Sequence, residues 1–140
     1  MTIETLKKSE IESYKKLIDE VFDGSNELSD YQKFDPEANY QIVVARDGEK
    51  IVGSVTFYKI DLFTFSFQPA LEIFNVAVLK EYRQQKIAQQ LFQYIIDYAK
   101  KNGYKSIFLT CLDSAIPAHK LYESMGFVKA NSVKYNLFLN

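Results

Sequence analysis

Apolar residues recur at three- and four-residue spacing in two stretches of the chain, as they do on the buried face of a helix. The first stretch follows Ser9 and Glu12, which match a capping box, and it ends near Gly24. The second covers residues 84–101 and stops at Gly103. Its apolar positions are Ile87, Ala88, Leu91, Phe92, Ile95, Tyr98 and Ala99. The pattern therefore predicts two amphipathic helices.

Stretches rich in β-branched and aromatic residues predict strands around these helices. Residues 40–45 and 51–60 flank Asp47-Gly48, a strong signal for a hairpin turn. An apolar run over residues 71–78 precedes the long helix, and residues 106–111 follow it. The order strand, helix, strand predicts a parallel pair joined by a right-handed crossover.

The remaining segments carry weaker patterns. Residues 25–39 are polar and predict a short helix or a loop. Ser114 is placed to cap another short helix, in which Pro117 is tolerated in the first turn and which Gly126 ends. Residues 127–139 predict one or two further strands.

Composition limits the class of protein. A chain of 140 residues, 47% hydrophobic and 25% charged, predicts a single globular domain over residues 1–140. The net charge of -1 disfavours nucleic acid or an anionic membrane surface as the main partner. No apolar segment approaches the roughly 20 residues of a spanning helix, and the first residues do not resemble a secretory signal. With Cys111 as the single cysteine, a cytoplasmic location is expected.

The segment that points most directly to chemistry runs from residue 71 to residue 88. A strand that turns directly into a helix leaves several backbone N–H groups pointing at one spot, and that spot favours phosphate. Arg83 adds a planar cation where the helix begins. No nucleotide-binding glycine motif occurs, and no cluster of metal ligands is evident.

Two motifs carry a family resemblance. Residues 83–88, Arg-Gln-Gln-Lys-Ile-Ala, are similar to the acetyl-CoA signature [RQ]-x-x-G-x-[GA] of the GNAT N-acetyltransferase superfamily. Residues 118–127 resemble the A-x-x-L-Y-x-x-x-G-F segment of the same superfamily. The resemblance implies an α/β (α+β) fold with a mixed, mostly antiparallel sheet flanked by helices. It also implies a splayed parallel strand pair, with acetyl-CoA in the opening between the two strands.

The resemblance implies an acetyl-CoA-dependent acyltransferase that moves an acetyl group to a primary amine within a ternary complex. The residues that would bind the cosubstrate are Val76, Val78, Arg83, Gln84, Gln85, Lys86, Ile87 and Ala88. Two positions depart from the family pattern. Lys86 stands where the signature has glycine, and Ala115 stands where the family often has a cofactor-contacting Asn. Lys86 would either crowd the pyrophosphate or bind it.

Two residues are candidates for catalysis. Glu72, inside the apolar run, matches the position of a general base in some family members, and the alternative is a carboxylate that ends a strand at a solvated edge. Tyr122 matches the family's usual acid, which protonates the departing thiolate. Its alternative is a core tyrosine whose hydroxyl is satisfied. His119 is expected to be solvated, and Cys111 is expected to be a small buried apolar residue.

Other functions remain open on the sequence alone. The fold could serve as a non-catalytic acyl-CoA-binding or regulatory module in which Lys86 and Ala115 mark a decayed site. It could also be an interaction protein that uses the aromatic residues of the segment 62–67 as a homodimer surface. The acceptor is not defined, because acceptor contacts would come from residues 25–39 and 62–70, where the pattern is weakest.

Overall fold

The computed structural model of the chain describes residues 1–64 and 66–139. It contains two compact units, Met1–Thr110 and Cys111–Asn140. The first unit holds a five-stranded sheet with three of the helices, and the second holds one helix. A single domain over the whole chain stays a prediction.

The sheet is mixed, with its strands in sequence order. The strands are β1 (Thr2–Thr5), β2 (Tyr40–Asp47), β3 (Lys50–Ile60), β4 (Ala70–Val78) and β5 (Ser106–Phe108). Neighbouring strands are antiparallel except β4 and β5, which are parallel as predicted. The hairpin at Asp47-Gly48 is confirmed, with Gly48 in the left-handed region at φ 63°. β5 ends at Phe108, three residues before the predicted end of the strand.

The helices are α1 (Ile11–Val21), α2 (Leu28–Tyr31), α3 (Ile87–Lys101) and α4 (Ile116–Ser124). A 3-10 turn over Lys8–Glu10 leads into α1, and the predicted cap at Ser9 is wrong. Instead, the Lys7 backbone N–H donates to the Glu10 carboxylate at 2.9 Å. α3 begins at Ile87, three residues later than predicted, because Gln84 and Lys86 have positive φ angles that no helix accommodates. Within the described residues, no helix is long and apolar enough to cross a membrane.

The two faces of the sheet are covered by different helices. α3 packs on the face of Gly53 and Phe57, where the Phe57 and Tyr98 ring centroids are 5.1 Å apart. A Cβ atom on Gly53 would come within 3.0 Å of Ile87 Cγ2, so glycine is what allows α3 to approach β3 this closely. α1 packs on the opposite face, where the Tyr14 hydroxyl is hydrogen-bonded to the side chain of Thr56.

A β-bulge interrupts β4. Its register against β3 shifts between Ser54 and Thr56, and Asn75 takes the left-handed conformation at φ 57°. Before the bulge, Glu72 pairs with Tyr58 on the α1 face of the sheet. After it, Val78 pairs with Gly53 on the α3 face. The extra residue therefore reverses the alternation: even-numbered side chains of β4 lie on the α1 face before the bulge and on the α3 face after it.

The second unit differs from the sequence prediction after α4. Pro117 lies in the first turn of α4 as predicted, but Ser114 makes no capping hydrogen bond, and the N-cap is Ala115. The strands predicted over residues 127–139 are wrong, because no strand is formed there. Apolar alternation favours a strand, yet a strand exists only where a neighbour accepts its backbone hydrogen bonds. Among the described residues, none pairs with this segment. Its apolar side chains, such as Tyr135 at 91%, are exposed.

Candidate active site

The turn that leads from β4 into α3 is built from exposed residues in unusual backbone conformations. Gln84 and Lys86 have φ angles of 63° and 62°, and residues 83–86 are all exposed. The first backbone N–H groups of a helix lack acceptors inside the helix and carry its positive dipole end. At the start of α3, these groups lie directly after the exposed turn. The local structure is therefore suited to an anion such as a pyrophosphate.

Hydrogen bonds fix this turn to the sheet. The Arg83 Nε–H donates to the Val78 carbonyl oxygen at 3.2 Å, which ties the guanidinium to the end of β4. The Tyr82 hydroxyl donates to the Asp47 carboxylate at 2.7 Å, and this bond is the first cause that raises the pKa of Tyr82. The β2–β3 hairpin and the end of β4 thus hold the turn in place before any ligand arrives.

Lys86 occupies the glycine position of the signature in a conformation that glycine adopts freely. Its φ of 62° explains the family preference for glycine, because a left-handed residue with a Cβ is strained. The Lys86 side chain is exposed. Together with Arg83, it adds a second cation beside the start of α3, so the residues present fit a ligand with two adjacent phosphates.

β4 is paired with β5 over only part of its length. The parallel pairing runs from Ala70–Ser106 to Glu72–Phe108 and ends there. Beyond Glu72, the described residues of the first unit provide β4 with no partner strand on that side. Val76 and Val78 lie in this unpaired half and are half-buried. The splayed parallel pair implied by the resemblance is therefore present.

Glu72 lies in the interior of the sheet. It sits within β4 between the partners Tyr58 of β3 and Phe108 of β5, so it neither ends the strand nor lies on an edge. The side chain is half-buried. Over residues 1–64 and 66–139, its carboxylate makes no hydrogen bond or ion pair. A carboxylate in this position can accept a proton from a group that enters from the α1 face.

Aromatic residues flank Glu72 along a cross-strand row that the sequence did not reveal. The row on the α1 face runs Tyr40, Tyr58, Glu72, Phe108, as the strand register pairs them. The Tyr40 and Tyr58 centroids are 5.4 Å apart, and Tyr58 meets Phe74 edge-on at 5.4 Å. Tyr58, Phe74 and Phe108 are 36%, 37% and 45% exposed. That these side chains neighbour Glu72 follows from the register of β4 against β3 and β5. The sequence alone does not give this register, because the bulge shifts it by one residue.

Tyr122 belongs to the second unit, whereas Glu72 and the turn at residues 83–88 belong to the first. The Tyr122 side chain is half-buried on α4, and its ring centroid is 5.9 Å from that of Phe127. Burial, followed by the nearby Cys111, raises the pKa of Tyr122. The hydroxyl therefore keeps its proton at neutral pH, as a proton donor must.

Cys111 and His119 are adjacent in the second unit. Cys111 is exposed, so its expected burial is wrong, because it lies beyond the end of β5. Its sulfur is 3.7 Å from His119 Nε2, and this nitrogen is 2.9 Å from the Leu112 carbonyl oxygen. His119 is half-buried rather than fully solvated. Among the residues that the structure describes, no three His, Cys, Asp or Glu side chains are grouped to hold a metal ion.

Comparison with known proteins identifies the family. The sequence profile described as "Acetyltransferase (GNAT) family" matches residues 6–127, which include the turn at residues 83–88, Glu72 and Tyr122. The chain belongs to the acetyltransferase (GNAT) family. The chain is 30% identical over 95 residues to human N-acetyltransferase 8B, a match covering 68% of the chain and 41% of the human protein.

A second curated relative and a solved structure agree with this assignment. The Escherichia coli [Ribosomal protein bS18]-alanine N-acetyltransferase is 36% identical over 58 residues, or 41% of this chain and 39% of that protein. The chain thus spans less than half the length of these curated relatives. An aminoglycoside acetyltransferase from a soil metagenomic sample, solved with trehalose, has a TM-score of 0.86 at 21% identity and covers 99% of the chain and 96% of its own. That likeness shows the same fold.

Proposed function

We propose that this acetyltransferase moves an acetyl group from acetyl-CoA to a primary amine by direct attack within a ternary complex. The observation that carries the proposal is the unpaired, half-buried carboxylate of Glu72 in the middle of β4. The same strand continues into the exposed turn at residues 83–86. One strand therefore connects a candidate base with a candidate phosphate site.

The turn would hold the pyrophosphate of acetyl-CoA. Backbone N–H groups at Ile87 and Ala88 supply donors, and the Arg83 and Lys86 side chains supply positive charge. Gln84 and Gln85 line the same exposed turn. In the unpaired half of β4, the backbone at Val76 and Val78 is available to the pantetheine arm.

Acetyl-CoA supplies an acyl group activated as a thioester. An acceptor amine with a pKa of about 10.4 arrives mainly as an ammonium ion, which has no lone pair. In the proposed mechanism, the Glu72 carboxylate takes that proton directly or through water, and the freed nitrogen forms the new C–N bond. The C–S bond then breaks, and the Tyr122 hydroxyl gives its proton to the departing sulfur. The nitrogen loses its second proton as the amide forms; that proton passes through water to the tyrosinate and restores Tyr122, and Glu72 releases the first proton to solvent. The raised pKa of Tyr122 favours its protonated form for this role.

Cosubstrate binding is the first test. Calorimetry with acetyl-CoA is expected to give micromolar affinity for the wild type, or about -8 kcal/mol. Arg83→Ala should weaken binding about tenfold, because it removes a charge-assisted contact worth roughly 1.5 kcal/mol. Lys101→Ala, at the opposite end of α3, is the matched control and should leave affinity unchanged. If the wild type does not bind acetyl-CoA, the proposed function is wrong.

Turnover tests the roles of the two side chains. Glu72→Gln and Tyr122→Phe are each expected to lower kcat by about 100-fold or more, the usual effect of losing a general acid or base. The acetyl-CoA affinity of both variants should match that of the wild type. A Glu72→Gln enzyme with full activity would show that the carboxylate is not the base.

The non-catalytic alternative predicts a different result. An acyl-CoA-binding or regulatory module would bind acetyl-CoA and acetylate no amine. The exposed side chain of Lys86 does not favour that alternative, since it leaves the turn open. A cytoplasmic location also stays a proposal, supported by the exposed, unpaired thiol of Cys111, which suits a reducing compartment.

Homodimerisation through residues 62–67 likewise stays a proposal. The Phe63 side chain is 80% exposed and contacts Phe67 at 5.1 Å between centroids. Phe65, the third aromatic residue of the predicted surface, lies outside the described residues. Sedimentation of the wild type and of Phe63→Ser would test this surface, and a monomeric wild type would exclude it.

A further inference from the structure

The surroundings of Glu72 are chemically specific. Its neighbours across the sheet are Tyr58 on one side and Phe108 on the other, and Phe74 lies two residues along β4 on the same face. All three rings are partly exposed. An aromatic ring attracts a cation over its face through its quadrupole, and a carboxylate attracts the same cation by its charge. The site therefore favours ammonium groups over neutral or anionic ones.

The aromatic row continues away from Glu72. Tyr58 contacts Tyr40 at 5.4 Å, and Tyr40 contacts Phe34 at 6.1 Å between centroids. Neighbouring strands are about 4.8 Å apart, so an alkyl chain of a few carbons spans the step from Glu72 to the next strand of the row. A molecule with one nitrogen at Glu72 would place its next few atoms over the rings of Tyr58 and Tyr40.

The segment that packs against this row is strongly acidic. Residues 19–39 contain seven acidic side chains and one Lys, a formal charge of -6. Removing these from the 18 acidic and 17 basic residues of the chain leaves 11 and 16, a formal charge of +5. The acidic segment contacts Tyr40 of the row directly, since the Phe34 ring lies 6.1 Å from the Tyr40 ring and the Asp35 N–H donates to the Tyr40 hydroxyl at 3.1 Å. The negative charge of this segment therefore adds to the preference of the aromatic rings for a cation.

We propose that the acceptor is a primary alkylamine that carries a second positive charge. The reacting amine lies at Glu72, and the second cation lies over the Tyr58 and Tyr40 rings beside the acidic segment. This inference rests on the proposed function for the identity of the reacting end. Acceptors with a carboxylate next to the amine are disfavoured, because that charge would face both Glu72 and the acidic segment.

Equilibrium binding at saturating CoA tests the inference without turnover. 1,4-Diaminobutane is expected to bind at least tenfold more tightly than 1-aminobutane, which has the same alkyl chain and one charge. Tyr58→Leu should abolish that preference, whereas Tyr58→Phe, which keeps the ring, should retain it. Tyr135→Leu, which changes a 91% exposed tyrosine outside the row, is the matched control and should behave as the wild type.

Three results would overturn the inference. These are equal affinity for the two amines, no measurable binding of either, and a preference that survives in Tyr58→Leu. A peptide with two neighbouring lysines, compared with its single-lysine counterpart, shows whether the second charge is read on a free diamine or on a protein chain. Whichever of the two binds more tightly, the diamine or the dilysine peptide, shows which kind of acceptor carries the second charge.

Failure of the inference and failure of the proposed function look different. Acetylation of both amines at equal rates would support the proposed function and contradict the inference of a second cation site. Selective diamine binding without acetylation of any amine would support the cation site and contradict the proposed transferase function.

Discussion

Lys86 shows how a single backbone angle affects the interpretation of a motif. From the sequence, a lysine in the glycine position of the signature would either crowd the pyrophosphate or bind it. The structure gives Lys86 the left-handed φ of 62° that the turn requires and leaves its side chain exposed. The departure therefore costs conformational strain and leaves the turn open.

Substitutions at two adjacent positions can measure that strain. At position 86, Gly should be more stable than Ala by about 1 kcal/mol, because only Gly adopts the left-handed region without penalty. At position 85, which is not left-handed, the order should reverse by roughly 0.5–1 kcal/mol. Urea unfolding of Lys86→Gly, Lys86→Ala, Gln85→Gly and Gln85→Ala gives both differences. The same order at both positions would contradict the left-handed assignment.

Arg46 is the charged residue on which the start of α1 depends. Its side chain is only 9% exposed, and its Nε and Nη2 atoms donate to the two Glu10 oxygens at 2.6 and 2.7 Å. A third nitrogen donates to Glu4 at 2.9 Å. The hydrogen bond from Arg46 is the first cause that holds the pKa of Glu10 below its ordinary value of 4.5.

The lowered pKa sets the sign of a pH effect. Because the pKa of Glu10 is lower in the folded state, its contribution to stability is fully present above about pH 4.5 and is lost as the pH falls through the folded value. Arg46→Met should lower the free energy of unfolding at pH 7 by about 3 kcal/mol, since Glu10 loses its partner. Lys129→Met, at an exposed position, should change it by less than about 0.5 kcal/mol.

Unfolding curves recorded from pH 7 down to about pH 3 provide the complementary measurement. Glu10→Gln, which does not titrate, should lose less stability over that interval than the wild type. Parallel curves for the two proteins would mean that the ion pair does not contribute.

Among the structural elements, the contact between β3 and α3 determines where the cosubstrate turn lies. Gly53 is fully enclosed by Ile87 of α3 and the Ala77 carbonyl, both within 3.3 Å of where its Cβ would be. Ile87 is the first residue of α3. Any side chain at position 53 therefore pushes on the start of α3, beside the proposed cosubstrate turn.

Gly53→Ala should lower stability by about 1–3 kcal/mol through overpacking and weaken acetyl-CoA binding as well. Gly24→Ala, where the nearest atoms are 3.9 Å away, is the control and should affect neither quantity. Adding Ile87→Leu to Gly53→Ala removes Cγ2, the closest atom, and should restore part of the acetyl-CoA affinity. Unchanged acetyl-CoA affinity in the single variant Gly53→Ala would show that the contact between Gly53 and Ile87 does not position the turn.

The sequence predicted those elements that rest on local chemistry. The hairpin followed from Asp47-Gly48, and the end of α3 from the stop at Gly103. The start of α3 was misplaced, because the positive φ of Lys86 leaves no trace in apolar spacing. For the candidate site, the family resemblance pointed to Glu72 and the turn, which stay predictions, whereas the ring of Tyr58 beside Glu72 follows from pairing between distant segments.

Over the whole molecule, charge is segregated along the chain. The segment of residues 19–39 carries -6 and the remaining residues carry +5, although the total is -1. The net charge of -1 averages over this segregation and does not reveal it. The segregation would suit the proposed anionic cosubstrate and the proposed cationic acceptor.

Salt should therefore affect a dicationic acceptor more than a monocationic one. The Debye length falls from about 10 Å at 0.1 M to about 3 Å at 1 M ionic strength, so attraction by exposed carboxylates is screened. The dissociation constant of 1,4-diaminobutane at saturating CoA should rise several-fold over that range, and that of 1-aminobutane should rise less. Asp23→Asn combined with Glu27→Gln should reduce the salt effect, whereas Glu49→Gln, in the β2–β3 turn, should not. Identical salt curves for the two amines would contradict the role of the acidic segment.

The bulge at Asn75 makes β4 two short strands of opposite phase joined end to end. Because the two parts alternate in opposite phase, no single two-residue period fits the whole strand. Residues 71–78 therefore resembled one continuous apolar run in the sequence. The extra residue alone causes this change of phase. Asn75→Gly preserves the left-handed position, whereas deletion of Asn75 would remove the bulge: Val76 and Ala77 would follow Phe74 in ordinary alternation opposite Val55 and Ser54, and Val78 would keep Gly53 as its partner. For the evolution of this strand, the bulge is therefore the place where a one-residue deletion disturbs the facing of the side chains least.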